Sequence, residues 1–172
     1  MSSTLPLAAL ADIEDKGLFI ETGSHNGDGI NIALAAGYKR VISIENQDKF
    51  YQRCLKKFGD NSCVTLMFGN SQDILPEILD ELNEQATFWL DAHIVGTEQP
   101  VILKELDELA ARAFNTHTLL IDDMRLIRNG ETWGKLLTLK DLELAVRRIN
   151  PLYSITYIPN TIAHDDILKA TI

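Results

Sequence analysis

The sequence predicts a doubly wound α/β fold in which five parallel strands are closed by an antiparallel carboxyl-terminal hairpin. Three observations carry this. Short apolar runs alternate five times with longer amphipathic stretches. Each run is continuous rather than alternating, the pattern of strands buried on both faces of a parallel sheet. The last two strand-like segments are separated only by a short polar stretch, too short for a helical crossover, so they pair antiparallel.

Taken in order, the first seventeen residues, MSSTLPLAALADIEDKG, have no basic start before their apolar patch and do not form a signal peptide. A short leading helix or arm over 1–16 is expected, ahead of one domain spanning 1–172. LFIETG (18–23), RVISIEN (40–46), CVTLMFG (63–69), TFWLDA (87–92) and TLLIDD (118–123) are of strand length and rich in β-branched or aromatic residues. The intervening stretches 28–38, 47–59, 71–85 and 100–114 carry apolar residues at spacings of three and four, and so does 138–149. Thr138 with Asp141 marks the start of that last helix, and Asn150-Pro151 its stop. YSITYIPN (153–160) and DDILKATI (165–172) make the hairpin.

Composition narrows the function classes. A net charge of −9, from 16 basic against 25 acidic residues, provides no basic stripe for nucleic acid. Arg147-Arg148 is expected on a solvated helix face. No apolar run approaches the roughly 18 residues of a membrane span. Cys54 and Cys63 form no metal-like cluster and are expected as buried, reduced thiols, which points to the cytoplasm. His117 and His164 have no partner in sequence and are expected to be structural.

In open α/β sheets ligands bind beyond the carboxyl ends of the strands, and the polar residues here collect at those ends. ETGSHNGDG (21–29) follows a strand and opens a helix, with Gly23, Gly27 and Gly29 allowing a tight turn and close approach to a ligand. Glu45 ends the second strand, 22 residues after Gly23, where an acid accepts both hydroxyls of a ribose. A nicotinamide dinucleotide and S-adenosylmethionine both satisfy this much. Asp91 and His93 end the fourth strand; Asp122 and Asp123 end the fifth.

With GNSQDILPEIL (69–79) set beside FIETGSHNGDG and FWLDAH, residues 17–172 resemble the class I S-adenosylmethionine-dependent methyltransferases. Within that Rossmann-like group the likeness is to the metal-dependent, catechol-type O-methyltransferases of small molecules and sugars. The resemblance implies a cofactor site made by Glu21, Gly23, Ser24, Gly27, Glu45, Asn46, Gly69, Asn70, Ser71, Gln72 and Asp91. It implies Mg²⁺ held by Asp91, Asp122 and Asp123. Three such carboxylates repel one another strongly in a partly dry cleft, and a hard, oxygen-seeking cation such as Mg²⁺ relieves that repulsion. A cation at that place lowers the pKa of an acceptor hydroxyl and orients it. His93 with Asp91 forms the catalytic pair, His93 as base, metal ligand or orienter of Asp91.

Two departures from the catechol pattern stand out. Ile94 occupies the position of its catalytic lysine, and His25 that of a middle glycine. RLIRNGETWG (125–134) is expected as a loop flanking the acid pair, and its Arg125, Arg128 and Trp133 are candidates to grip a small-molecule or glycan acceptor. Self-association into a homo-oligomer is compatible with the short amino-terminal cover. A nicotinamide-dependent oxidoreductase and a non-catalytic, nucleoside-binding partner subunit are the alternative readings on this fold.

Overall fold

A computed structural model describes residues 4–92 and 100–172. Its centre is one seven-stranded sheet of β1 (Leu18–Thr22), β2 (Arg40–Glu45), β3 (Val64–Phe68), β4 (Thr87–Leu90), β5 (Thr118–Ile121), β6 (Ser154–Ile158) and β7 (Ile167–Thr171). The order across the sheet is β3-β2-β1-β4-β5-β7-β6. The first five strands run parallel, and β7 is antiparallel to both β5 and β6. The expected closing hairpin is therefore present, with its second strand inserted next to β5.

Continuous apolar strands make sense because both faces are covered. Along β1, β4 and β5, Ile20, Phe88, Leu119 and Ile121 point into one core, while Phe19, Trp89 and Leu120 point into the other. The first core packs against α3 (Ser71–Glu81), α4 (Val101–Ala110), α5 (Met124–Asn129) and α6 (Leu139–Ile149). The second packs against α1 (Asp28–Ala35) and α2 (Asp48–Phe58).

The helices end where local chemistry stops them. α1 closes three residues earlier than its periodicity predicts, where Gly37 N–H and Tyr38 N–H fold back to the Leu34 and Ala33 carbonyls. α6 starts as expected: Thr138 Oγ1 accepts from Asp141 N–H at 3.2 Å, and Asp141 Oδ2 accepts from Thr138 N–H at 2.9 Å. Among the described residues, no helix is long and apolar enough to cross a membrane.

The short leading helix expected in the amino-terminal arm is a 3-10 helix over Leu7–Leu10, and Leu5 and Leu10 are buried in the second core. Three local expectations are corrected. β3 is an edge strand whose Phe68 is 52% exposed, because only β2 pairs with it. Cys54 is buried as expected, but Cys63 is exposed just before that edge. The segment after β5 is a helix, α5, not a loop; six residues are too few to show a helical period.

Candidate functional site

Neighbouring strands stay paired for one residue beyond their ends, and this builds the floor of the site. Gly23 N–H donates to the Ile44 carbonyl at 2.9 Å, Gly69 N–H to that of Glu45 at 3.0 Å, and Asp91 N–H to that of Thr22 at 3.2 Å. Asp122 N–H reaches the Leu90 carbonyl at 3.3 Å. The polar residues that follow β1, β2, β3, β4 and β5 are thereby brought to one rim of the sheet.

A groove of about 160 Å³ opens on this rim, lined by Gly23, His25, Glu45, Asn46, Gly69, Ser71 and Asp91, with Phe50 on one wall. A smaller hollow adjoins it, lined by Glu21, Ser24 and Trp89 and covered by Thr4 and Leu5 of the arm. Gly23, His25 and Asp91 line both, so Asp91 sits where the two meet. A larger recess of about 360 Å³ between α3 and the β2–β3 edge contains none of the residues predicted for the site.

Glu45 is the organising acid of the groove. It is buried, and its carboxylate accepts from His25 N–H at 2.8 Å and Gln47 N–H at 2.8 Å. Those bonds tie the loop after β1 to the end of β2. His25 adopts a left-handed φ of 46°, and its ring rests on Phe50 at 4.2 Å between centroids. Gly23, with φ of 89°, is held against Asp91: a Cβ there would lie 2.9 Å from the Asp91 carbonyl oxygen. Asn46 Nδ2 donates to Asn70 Oδ1 at 3.3 Å, joining the loops after β2 and β3.

Not every predicted cofactor residue faces the groove. Gly27 packs on Phe58 and Cys54 at the start of α1. The Gln72 amide oxygen accepts from Lys104 Nζ of α4 at 3.1 Å, on the outer side of α3. His93 and Ile94 lie outside the described residues, as does the side chain of Trp133.

Glu21 is 1% exposed and fills the space in front of Gly29, where an added Cβ would meet Oε1 at 1.7 Å. Ser43 Oγ donates to it, and Ser24 Oγ lies 2.5 Å from Ser43 Oγ. Burial first, then the charges of Asp91, Glu45 and Asp28, push the Glu21 pKa up to about 8, against the Ser43 hydrogen bond. Away from the rim, burial pulls His117 down to about 4, while its Nδ1 accepts from Ala86 N–H at 3.3 Å.

These two groups give stability opposite pH dependences. Glu21 gains a proton on folding between its ordinary 4.5 and about 8, so its contribution is full in acid and lost as pH rises through 8. His117 loses one between its ordinary 6.5 and about 4, so its contribution is full above 6.5 and lost as pH falls toward 4. Between pH 7 and pH 5 each amounts to about 2 kcal/mol, and they oppose one another. Relative to the wild type, Glu21→Gln is expected to lose about 2 kcal/mol on moving from pH 7 to pH 5. His117→Asn is expected to gain about as much. Urea unfolding at the two pH values measures both.

The second polar group at the rim has different company from that expected. Among the described residues, the carboxylates that converge within 4.8 Å of one another are Asp122, Asp123 and Asp166, and Asp91 joins no such group of three. Arg125 Nη1 lies 2.6 Å from Asp123 Oδ1 and also pairs with Asp166 Oδ2. Burial works against the charge on Arg125, but the hydrogen bond to Asp166 and the nearby aspartates outweigh it and raise its pKa. Asn160 Nδ2 donates to Asp122 Oδ1 at 2.9 Å and to Asp166 Oδ2 at 2.6 Å. Arg128 donates to the Asp165 carbonyl at 2.6 Å. Asp166 and Asn160 are the participants that sequence reasoning missed. The available signal was the antiparallel β7, whose first residues must lie beside the end of β5.

No protein-family model matches the chain, and no curated protein matches it in sequence. Solved structures do match it. The SAH-bound methyltransferase PaMTH1 from Podospora anserina is similar at a TM-score of 0.64, over 96% of this chain and 75% of its own, with 14% identity. A SAM-dependent methyltransferase from Aquifex aeolicus reaches 0.58 over 95% and 85%, with 12% identity. An O-methyltransferase family protein from Burkholderia thailandensis reaches 0.65 over 96% and 54%, with 10% identity. Identities this low speak to the fold alone. The chain has the Rossmann-like methyltransferase fold, with its antiparallel closing hairpin.

Proposed function

We propose that this protein transfers a methyl group from S-adenosylmethionine to a hydroxyl of a small molecule or sugar. The observation that carries the proposal is the rim groove, lined by Glu45 and Gly23 among the loops after β1, β2 and β3. In this reading Glu45 holds the ribose hydroxyls, and Asn46, Gly69, Asn70 and Ser71 border the adenine. Glu21, Ser24 and Asp91 face the charged end of the donor. Gly27 and Gln72 support the loops from behind.

The bound donor supplies an electrophilic methyl on its sulfonium. What remains for the chain is to align an acceptor oxygen with that methyl and to remove the oxygen's proton. Asp91, where the two hollows meet, is proposed to orient the acceptor. His93, two residues further along, is proposed to take the proton. The O-methyltransferase neighbour supports a hydroxyl as the acceptor group.

The cation implied by the resemblance does not fit the described donor set. Its expected ligands are Asp91, Asp122 and Asp123, whereas Asp122 and Asp123 group with Asp166 around Arg125 and Asn160.

Calorimetry and thermal unfolding with S-adenosylhomocysteine and with NAD⁺ test the proposal. At about 100 times its Kd, a specific ligand contributes about 2.7 kcal/mol, or roughly 5–10 °C for a chain of this size. That shift is expected with S-adenosylhomocysteine and not with NAD⁺. A shift with NAD⁺ alone would replace the proposal by the oxidoreductase reading. Donor binding with no methyl transfer to any hydroxyl acceptor would favour the non-catalytic subunit.

A further inference from the structure

The convergence of Asp122, Asp123 and Asp166 poses an electrostatic problem that this chain solves internally. Their exposures are 1%, 4% and 0%, so water does little to separate their charges. A hard divalent cation would require several of these oxygens aimed at one point, at about 2.0–2.6 Å. The space between Asp123 and Asp166 instead holds the Arg125 guanidinium, which contacts both. The space between Asp122 and Asp166 holds the Asn160 amide, 2.9 Å from one and 2.6 Å from the other. Arg125 is anchored a second time, its backbone N–H donating to Asp166 Oδ1 at 2.6 Å. A guanidinium does not lose its proton in a protein, so a metal ion could enter only by expelling it.

We propose that Arg125 is the resident counter-ion of the acid pair that ends β5, and that this pair is held and oriented without a divalent cation. Arg125 is thus a positioning residue. Through Asp166 it also locks the connection between β6 and β7 onto the rim, where the Met124 N–H reaches the Asp166 carbonyl at 3.0 Å. The proposal makes the methyl-transfer reading a metal-independent one; its electrostatic part stands apart from that reading.

Thermal unfolding of the full chain tests it, with MgCl₂, MnCl₂ or CaCl₂ against NaCl at matched ionic strength. The wild type is expected to show no divalent-specific shift. Arg125→Gln removes the charge and leaves a shorter, neutral amide donor; it is expected to melt lower and to recover several degrees with a divalent ion. Arg125→Lys restores a cation and is expected to be unresponsive again. A divalent-specific shift in the wild type overturns the proposal, as does a folded Arg125→Gln that no divalent ion stabilises. Should Arg125→Gln fail to fold, calorimetry on the wild type decides: saturable heat with Mg²⁺ or Mn²⁺ overturns the proposal, and its absence upholds it. An S-adenosylhomocysteine arm separates the two readings. Loss of that shift would defeat the methyl-transfer proposal and leave the counter-ion inference standing.

Discussion

Glu45→Ala is expected to weaken S-adenosylhomocysteine binding about 100-fold, close to 3 kcal/mol. Two losses add. The ribose hydroxyls lose a charged acceptor, and hydrogen bonds to charged groups contribute about 1.5–3 kcal/mol. His25 N–H and Gln47 N–H, each 2.8 Å from a carboxylate oxygen, lose their acceptor as well, and the loop after β1 is released from the end of β2. Glu45→Gln retains one carbonyl oxygen, so it keeps one of the two backbone bonds and should fall between alanine and wild type. Calorimetric titration of both variants provides the comparison. Unchanged affinity in the alanine variant would remove Glu45 from the cofactor site.

Gly23→Ala is expected to cost about 2–4 kcal/mol of stability and to abolish donor binding. Two separable terms contribute. A φ of 89° suits glycine, and an alanine held there is strained by about 1 kcal/mol or more. The rest is collision with backbone: the new Cβ would lie 2.9 Å from the Asp91 carbonyl oxygen and 3.2 Å from its carbon. Neither atom can swing aside as a side-chain tip would, so β1 and β4 must part at the rim. Gly37 isolates the first term. Its φ is 92°, yet nothing lies within 4 Å of the position a Cβ would take. Gly37→Ala should therefore show the conformational cost alone, about 1 kcal/mol, with donor affinity intact. Urea unfolding with calorimetry on the pair measures the difference. Equal losses at the two positions would show that the contact with Asp91 does not matter.

Both effects concern residues whose importance is visible in the sequence, because each depends on local connectivity. A glycine turn directly after a strand must lie at that strand's carboxyl end. The same holds for an acid that closes the next parallel strand. Parallel order then places the two ends side by side, whatever the remainder of the fold does. Gln72 and Gly27 show where such reasoning stops. Their place in the loops is set by the chain, but the direction each faces is set by neighbours, Lys104 for one and Phe58 with Cys54 for the other.

The exposure of β3 is not legible in its own segment for a related reason. VTLMF has the apolar continuity of a central strand, and nothing in the segment states how many neighbours it will have. Position in the sheet is a property of the whole order, and β3 lies at its edge. α5 escaped detection because six residues do not complete two turns.

From residue order alone came the alternation of strands and helices, the antiparallel closure, the glycine turn, Glu45 at the end of β2, and acids at the ends of β4 and β5. These follow from periodicity and chain connectivity, which are local. Only the tertiary structure decided which charges meet. Asp122 and Asp123 were expected to face Asp91 across the β4–β5 neighbourhood. They group instead with Asp166, which lies 43 residues beyond Asp123 and reaches them because β7 runs antiparallel to β5 with Leu168 opposite Ile121. Arg125 and Asn160 complete that group from two further segments. Coulomb energy depends on distance in space, and the partners of a buried carboxylate are chosen by the fold rather than by its neighbours in the chain.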